Sequence, residues 1–408
     1  MMKRYPAYKD SGVDWIGDVP EEWDMKKVKF LVDLIVEKAE NSNENEFKVA
    51  LENIESFTGM YRNGSEMFEG VGNYFKKGDV LFNKLRPYLA KVFVALNDGV
   101  AVGELLVLRP KYDYEQKFLF FRFLSSPFIS TVNGATYGSK MPRANWDLIG
   151  NIKVPTPNKE NQKVIVKYLD HKTRHIDTLI EKKQKQIQLL QEQRTAIINH
   201  AVTKGLNPNV KMKDTGIEWM GEVPEHWELK PLKYIVTLQR GHDLPSEKRV
   251  EGDIPVISSA GATGLHNQAI AKAPGIVTGR YGTIGIFYLL EQDYWPLNTT
   301  LYSVNLHGNL SKYLWYLLRT LSPIFLLNSS KSAVPGIDRN DIHPTITAIP
   351  PSRDEQFEIL HFLEQKISQI ETAIATTQNY INLLKEYRTT LISEVVTGKI
   401  DVRDEVIP

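Results

Sequence analysis

The chain contains no cysteine among its 408 residues. A disulfide framework and a cysteine-ligated zinc site are therefore excluded, and the composition fits the reducing cytosol. No run of about 18 apolar residues occurs, which argues against a membrane-spanning helix. The first ten residues, MMKRYPAYKD, lack the apolar centre of a signal peptide. We expect a cytoplasmic protein that does not associate with membranes.

An excess of charge of one sign is missing as well. The sequence has 50 Lys and Arg against 49 Asp and Glu, a formal net charge of +1. This balance neither supports nor excludes a nucleic-acid partner, because a local basic surface can exist within a sum near zero. Three catalytic signatures are also absent: the P-loop, the nucleophile elbow, and the Asn/Asp-Pro-Pro-aromatic motif of adenine methyltransferases.

What the sequence does contain is an internal duplication. Residues 8–32 return at 212–236 with the same spacing of tryptophan, glycine and proline, and we call each copy the Trp motif. The matched pairs are Trp15 and Trp219, Gly17 and Gly221, Pro20 and Pro224, and Trp23 and Trp227. The chain is thus a doubled unit of about 200 residues, and repeats of this kind define the architecture.

A long helix closes each copy. Residues 159–202 hold no proline or glycine, and their apolar residues recur every three or four positions, which is typical of a coiled coil. The same seam recurs 194 residues later. It comprises Val166, Leu169, Ile176, Ile180, Ile187, Leu190, Ile197 and Ala201 in the first helix, and Leu360, Leu363, Ile367, Ile370, Ile374, Ile381, Leu384, Leu391 and Val395 in the second.

The two helices are expected to be antiparallel. A helix of about 40 residues is roughly 60 Å long, whereas the linker 203–211 spans at most about 30 Å. The second globular region should therefore begin near the far end of the first helix, and the second helix should return along it. Charge agrees, since residues 159–204 carry ten Lys and Arg against five acids, and residues 353–399 carry five against seven.

Two further expectations follow from the duplication. Arg194 and Arg388 occupy matching seam positions, where they could set the register, extend to solvent, or meet an acid of the other helix. The Trp motif around Trp23 should pack near the end of the second helix, and that around Trp227 near the end of the first.

The fold class predicted is mixed α/β, with two pseudo-symmetric globular regions separated by a long antiparallel two-helix coiled coil. Both regions show short apolar runs between Gly, Asn and Asp turns, followed by a helix that ends at a Ser-Pro pair. We divide the chain at 1–157, 158–203, 204–352 and 353–408. Predicted strands cover 47–51, 80–82, 89–95 and 105–109, then 256–258, 275–277, 284–289 and 301–305, and predicted helices cover 115–124 and 310–321.

The layout resembles the specificity subunit of Type I restriction-modification systems. The resemblance covers nearly the whole chain and rests on the doubled Trp motifs, on GDVLFNKLRPYLAKV (78–92), on GRYGTIG (279–285) with WPLNTT (295–300), and on the Pro-rich start of each long helix. It implies a non-catalytic subunit with two target recognition domains that bind double-stranded DNA. It further implies two methyltransferase subunits that use S-adenosylmethionine, and restriction subunits that use ATP and Mg²⁺, with no cofactor in this chain.

Candidate DNA contacts lie in polar turns. Basic side chains there can reach guanine edges or phosphates, and tyrosine adds a ring, while the rival interpretation is an ordinary solvated turn or a tight hairpin. A spacing of one or two DNA turns, about 34–36 Å each, would suit two half-sites. The candidates are Tyr61, Arg62, Asn63, Lys84, Arg86, Tyr88, Tyr137, Lys140 and Arg143 in the first region, and Arg240, Arg280, Tyr281, Thr283, Lys331, Ser332 and Arg339 in the second.

Other functions remain as alternatives. The chain could be a free-standing DNA-modifying enzyme, or a coiled-coil scaffold that binds only proteins. A metal site is not expected: His171 and His175 have the spacing of a zinc helix, but they lack the glutamate of that motif, and the repeat has Gln365 and Gln369 at the matching positions.

Overall fold

The computed structural model describes residues 3–40, 47–62, 71–138, 140–329 and 336–407. The chain forms two compact units, one comprising Met1–Gln184 with Gln378–Pro408 and the other comprising Lys185–Thr377. Each unit includes part of both long helices. These two compact units differ from the four consecutive segments predicted above. The four segments remain a prediction of how the chain divides into functional regions.

The first unit combines short, mostly antiparallel sheets with three short helices and the beginning of a long one. Its strands are β1 (Tyr8–Asp10), β2 (Asp18–Pro20), β3 (Asp24–Lys27), β4 (Val32–Ile35), β5 (Lys38–Glu40), β6 (Lys48–Val49), β7 (Val71–Phe75), β8 (Val80–Asn83), β9 (Val92–Val94), β10 (Gly99–Ala101), β11 (Leu105–Pro110) and β12 (Lys153–Thr156). Its helices are α1 (Gln116–Leu124), α2 (Ser126–Gly134), α3 (Trp146–Asn151) and α4 (Lys159–Lys204).

A four-stranded antiparallel sheet in the order β4-β11-β8-β9 is the centre of this unit. Its inner face packs on α1 and α2 through a cluster that includes Phe82, Leu119, Phe123 and Phe128. A second sheet, β5-β7-β10-β6, shares a small apolar cluster with strands β8, β9 and β11 of the first sheet. Strand β12 pairs with β3 of the Trp motif, and this pairing joins the start and the end of the globular region.

The second unit is built from the corresponding pieces. Its strands are β13 (Met212–Asp214), β14 (Glu222–Pro224), β15 (Glu228–Pro231), β16 (Thr237–Arg240), β17 (Ile254–Ser258), β18 (Gly261–His266), β19 (Gly275–Gly279), β20 (Phe287–Leu290), β21 (Trp295–Pro296), β22 (Thr300–Asn305) and β23 (Ile346–Ile349). Its helices are α5 (Ser311–Thr320), α6 (Ser322–Ser329), α7 (Arg339–Ile342) and α8 (Arg353–Val396), the last of which ends in the first unit.

The two units share a frame and differ in what is added to it. The sheet β16-β22-β19-β20 has the strand order of β4-β11-β8-β9, and β15 pairs with β23 as β3 does with β12. The added sheet differs, since β18-β17-β21 has three strands where the first unit has four. The mixed α/β class and the pseudo-symmetry predicted from the sequence are confirmed.

The helices α4 and α8 are 46 and 44 residues long, and every predicted seam position is buried or half-buried. Within the first unit they run antiparallel, since Asp177 meets Arg388 and Lys183 meets Tyr380. Within the second unit Arg194 lies 3.5 Å from Glu371. Of the three alternatives for the seam arginines, the structure therefore shows the cross-helix acid in both units.

Each Trp motif lies at the end of a long helix, as the duplication predicts. In the first unit, Lys399, just beyond α8, donates through Nζ to the Asp18 carbonyl at 2.6 Å. In the second, Lys204 at the end of α4 donates to the carbonyls of Met220, at 3.0 Å, and Glu222. The indoles of Trp23 and Trp227, the second tryptophan of each motif, are fully buried beside these ends.

Some predicted boundaries are wrong. The Ser126-Pro127 pair was predicted to end a helix. In the structure α1 ends at Leu124, and Ser126-Pro127 begins α2, because proline is accepted in the first turn of a helix. The strand predicted at 89–95 is only Val92–Val94, since Pro87–Leu89 form a 3-10 turn and Ala90 is left-handed. The strand predicted at 284–289 is Phe287–Leu290, because Gly285 turns the chain first.

Candidate nucleic-acid interface

Two loops of the first unit meet at the end of strand β8. Leu85 forms an antiparallel bridge with Arg143, and the Arg86 amide donates to the Pro142 carbonyl at 2.8 Å. On the other side, the Ala144 amide donates to the Lys84 carbonyl at 2.9 Å. The structure therefore brings together two groups of candidates that are about 55 residues apart in the sequence.

The side chains of this first loop cluster point mostly to solvent. Arg86, Tyr88, Tyr137 and Lys140 are exposed, and Lys84 is half-buried. Arg86 has a left-handed backbone, with φ at 51°, and begins the 3-10 turn on which Tyr88 stands. Two cations and two rings on one exposed surface suit a nucleic-acid backbone and its bases.

Arg143 differs from the other members of the cluster because an acid already holds it. Its Nη2 lies 2.7 Å from Glu104 Oε1, and its Nε lies 3.2 and 3.3 Å from the two carboxylate oxygens. This hydrogen bonding to Glu104 raises the pKa of Arg143. The Arg143 charge is thus largely neutralised, and the residue orders the loop. Its predicted role as a free phosphate contact finds no support in the structure.

The second unit repeats this backbone arrangement with other side chains. The Arg280 amide donates to Thr299 O at 2.8 Å, as the Lys84 amide donates to Glu104 O at 3.1 Å. The Ile337 amide donates to the Arg280 carbonyl at 3.0 Å, as Ala144 does to Lys84. Arg280 therefore occupies the place of Lys84. Each of the two is the first residue after the corresponding strand, and this position is the only sequence signal for the match, because the flanking residues differ.

Arg280 is held less tightly than Arg143. Its guanidinium lies 5.0 Å from the ring centroid of Tyr281 and 3.8 Å from Asp338, and only 17% of the side chain is exposed. Its buried Nε has no hydrogen-bond partner among the described residues. Tyr281 is exposed at the surface beside it. Since Gly282 follows with φ at 77°, a ligand can approach this backbone closely.

The remaining candidates of the second unit have separate positions. Thr283 donates through its hydroxyl to the Ser259 carbonyl, so its side chain serves the fold. Arg240 is exposed at the end of β16, and Arg339 is exposed at the first position of α7, which Asp338 caps. Lys331 and Ser332 lie outside the described residues, and so does Asn63 of the first unit.

Tyr61 and Arg62 do not join the first loop cluster. The Tyr61 ring packs against Phe47 and Phe93, with centroids 5.0 and 5.8 Å away, and its hydroxyl donates to the Lys48 carbonyl. Its predicted role in DNA contact is therefore replaced by one in packing. Arg62 pairs with a glutamate of its own loop at 2.8 Å. Both line a cavity of about 1000 Å³ bounded by residues 55–62 and by α2, α4 and α8 of the same unit.

Sequence reasoning also missed polar residues that order the second unit. His242 Nε2 lies 3.1 Å from the Tyr302 hydroxyl, and its backbone bridges Leu297 in the loop after β21. His343 accepts a hydrogen bond from the Leu238 amide at 3.0 Å. Burial, with a smaller effect of nearby Arg339, lowers the pKa of His343 below its usual value. Histidines of this kind give no periodic signal in a sequence.

Across the part of the chain that the structure describes, no three histidine or acidic side chains lie close enough together to hold a metal ion. Among the same residues, no helix is both long and apolar enough to cross a bilayer.

The model of the Type I restriction modification DNA specificity domain matches this chain twice, at residues 20–189 and 224–382. The chain belongs to this family. The two matches include the first loop cluster and the corresponding loop at Arg280 and Tyr281, together with most of the two long helices. Membership in the specificity family was predicted from the sequence and is confirmed.

Among curated relatives, the EcoDI specificity subunit of Escherichia coli is 26% identical over 184 residues, which cover 43% of this chain and 41% of that protein. The MjaVIII specificity subunit of Methanocaldococcus jannaschii is 28% identical over 239 residues, 55% and 51% of the two chains. The chain thus spans about half the length of the curated relatives that it matches.

Solved structures show the shared fold. A chain from a study of complex assembly and conformational transition in the type I R-M system superposes with a TM-score of 0.68, covering 93% of this chain and 98% of that one. The HsdS subunit of Thermoanaerobacter tengcongensis gives 0.58, with 94% and 98% covered. Both are 18% identical in sequence.

Proposed function

We propose that this chain is the DNA-sequence specificity subunit of a Type I restriction-modification complex, and that each unit reads one half of an asymmetric, bipartite target. One observation carries the proposal. The same backbone frame presents Lys84, Arg86 and Tyr88 in one unit and Arg280 and Tyr281 in the other. A common frame with different side chains at its tip is what two readers of different sequences require.

The long helices support a fixed distance between the half-sites. At about 1.5 Å per residue, the 46 residues of α4 extend about 69 Å, close to two turns of B-DNA. Burial of the seam keeps each helix paired with the other. We propose that the pair acts as a ruler that sets the spacer between the half-sites.

The chemistry belongs to partners in this proposal. Two methyltransferase subunits supply S-adenosylmethionine-dependent methylation, and restriction subunits supply ATP- and Mg²⁺-dependent cleavage, while this chain is non-catalytic. The relatives named above are specificity subunits, which supports the assignment. Incubation of the pure chain with DNA and labelled S-adenosylmethionine, or with Mg²⁺, should give neither methylation nor cleavage, and either product would favour a free-standing enzyme.

Selection from random duplex DNA tests the target. The chain, alone or with its methyltransferase, should retain molecules that share two short blocks separated by a spacer of constant length and free sequence. Lys84→Ala should weaken selection in one block and Arg280→Ala in the other, at about 1–3 kcal/mol each. Lys182→Ala, an exposed position on α4, is the matched control and should change neither block. One continuous block would contradict the bipartite target, and no retention of DNA would favour a protein-binding scaffold.

Salt dependence separates phosphate contacts from base contacts. Lys140 is exposed in the first loop cluster. Lys140→Ala should weaken binding to every sequence and reduce the slope of log K against log salt by about one. A changed sequence preference in this variant would mean that Lys140 contacts a base.

A further inference from the structure

Left-handed residues other than glycine concentrate around the first loop cluster. In the described part of the chain, Phe57, Arg86, Ala90 and His307 have φ between 46° and 64°. The first three lie in one unit and are joined by hydrogen bonds. Such conformations cost on the order of 1–3 kcal/mol each and persist only where neighbouring contacts hold them, often at functional sites.

The bonds run from Phe57 to the turn that carries Arg86. The Phe57 amide donates to the Ala90 carbonyl at 3.1 Å. The Ala90 amide then donates to Pro87 O at 2.8 Å, and the Leu89 amide donates to Arg86 O at 3.0 Å. The backbone of Phe57 therefore holds the far end of the turn from which the candidate DNA contacts project.

A seam arginine holds Phe57 from the other side. Arg388 of α8 is 6% exposed, and its Nη1 donates to the Phe57 carbonyl at 2.8 Å. Its Nε and Nη2 donate to the two Asp177 oxygens at 2.9 and 3.2 Å. All three nitrogens of the guanidinium are thus used, two on the partner helix and one on the loop.

The segment between these contacts has little room to yield. The Gly59 amide donates to Glu55 O at 3.0 Å, and the Glu55 amide donates to Met60 O at 2.9 Å. A Cβ at Gly59 would lie 2.3 Å from the Val92 carbonyl and 2.4 Å from the Phe120 ring, so this loop is packed directly on β9 and α1. A displacement of the Phe57 carbonyl should therefore move the 86–90 turn instead of being absorbed by the loop.

The second unit provides a natural comparison. Arg194 occupies the matching seam position in the repeat, 194 residues earlier. It pairs with Glu371 at 3.5 Å and is about one-third exposed. Among the described residues, the structure gives Arg194 this ion pair and no bond to a loop carbonyl. The contact with the loop belongs to Arg388 alone of the two.

We propose that Arg388 is a positioning residue for DNA recognition, which couples the long helices to the first loop cluster through the Phe57 carbonyl. The proposal rests on the proposed function of that cluster. In this proposal Arg388 does not contact DNA itself. Arg388 fixes the conformation in which Arg86 and Tyr88 are presented, so the residue affects the first half-site and not the second.

Hydrogen exchange on the full-length chain tests the coupling without DNA. In Arg388→Lys the amine can still meet Asp177 but cannot bridge both partners, because the planar fork is lost. Exchange at the Phe57 amide and across residues 86–90 should rise about tenfold or more. Asp177→Asn is a milder change and should raise the exchange rate less at the same amides. Arg194→Lys is the matched control and should leave the exchange rate at these amides unchanged. Unchanged exchange in both Arg388→Lys and Asp177→Asn would overturn the proposal.

Selection from random duplex DNA then tests the consequence for recognition. Arg388→Lys should lose at least about fivefold in selectivity within the block that Lys84→Ala also affects, and should keep the other block. If it keeps both blocks at the wild-type level, the positioning role is overturned. If the wild-type chain selects no paired blocks, the proposed function fails, and the exchange result still decides whether Arg388 holds the turn.

Discussion

Replacing Arg122 by leucine and Phe118 by tyrosine should give the first unit the helix-end contact that the second unit already has. In the first unit, the fully buried Arg122 donates to the carbonyl of Val396, the last residue of α8. In the second, the Tyr313 hydroxyl donates to the Val202 carbonyl near the end of α4, at 3.1 Å. Two different side chains thus satisfy equivalent helix ends.

The match between α1 and α5 is fixed by a shared ion pair. Lys117 pairs with Asp170 in the first unit, and Lys312 pairs with Glu364 in the second. The two acids, Asp170 on α4 and Glu364 on α8, are 194 residues apart, which is the repeat offset of the long helices. Counting one residue on from each lysine aligns Phe118 with Tyr313, and five residues on aligns Arg122 with Leu317. The double substitution therefore copies a pair that the same frame already accommodates.

The magnitudes follow from the bonds that are lost and restored. Arg122→Leu removes the donor to the carbonyls of Val396 and Pro155. Leaving a buried carbonyl without a donor costs about 1–3 kcal/mol of unfolding free energy. Against this, burial lowers the pKa of Arg122 to about 9, so removing the charge offsets part of the loss. We expect a net destabilisation of about 2 kcal/mol. Phe118→Tyr alone brings a hydroxyl toward the Val396 carbonyl that Arg122 already occupies, and this crowding should lower the unfolding free energy by about 1–3 kcal/mol.

Together the two changes should cost less than the sum of their separate effects. The new hydroxyl meets the Val396 carbonyl that Arg122 has vacated, so the coupling free energy should favour the double variant by at least about 1.5 kcal/mol. Urea unfolding of the wild type and the three variants, followed by tryptophan fluorescence, measures all four corners of the cycle. Additivity within about 0.5 kcal/mol would refute the equivalence of the two helix ends.

Other predictions concern single positions. Gly398 has φ at 79°, and a Cβ there would lie 2.4 Å from Pro20, whereas Gly12 has φ at 67° and open space. The left-handed backbone should lower the unfolding free energy of both alanine variants by about 1–2 kcal/mol. The clash with Pro20 should lower that of Gly398→Ala by about 1–3 kcal/mol more. Equal urea midpoints for the two variants would contradict the clash. Because burial lowers the folded-state pKa of His343 below 6.5, stability should rise with pH between that lowered value and 6.5, and should be lost as pH falls through the same window. His343→Gln can still accept from Leu238 without titrating, and its unfolding free energy should lose this slope; an unchanged slope would assign it to other groups.

The duplication, the two long helices and their pairing could all be predicted from the sequence. These features are local or periodic: a seam that repeats every 3.5 residues, and tryptophans at constant spacing, can be recognised without coordinates because each residue's environment follows from its phase in the pattern. The ends of the sheet strands were predicted less accurately. Their strand ends depend on left-handed turns such as those at Ala90 and Gly285, which only a glycine announces in a sequence.

Which polar residues are available as contacts depends instead on the tertiary structure. Arg143 pairs with Glu104, and the Tyr61 ring packs on Phe47, and neither partner can be identified from the sequence. The link from Arg388 to Phe57 joins residues 331 positions apart. Such contacts form because a sheet and a helix pair converge in space, and their energies depend on geometry that leaves no periodic trace in the chain.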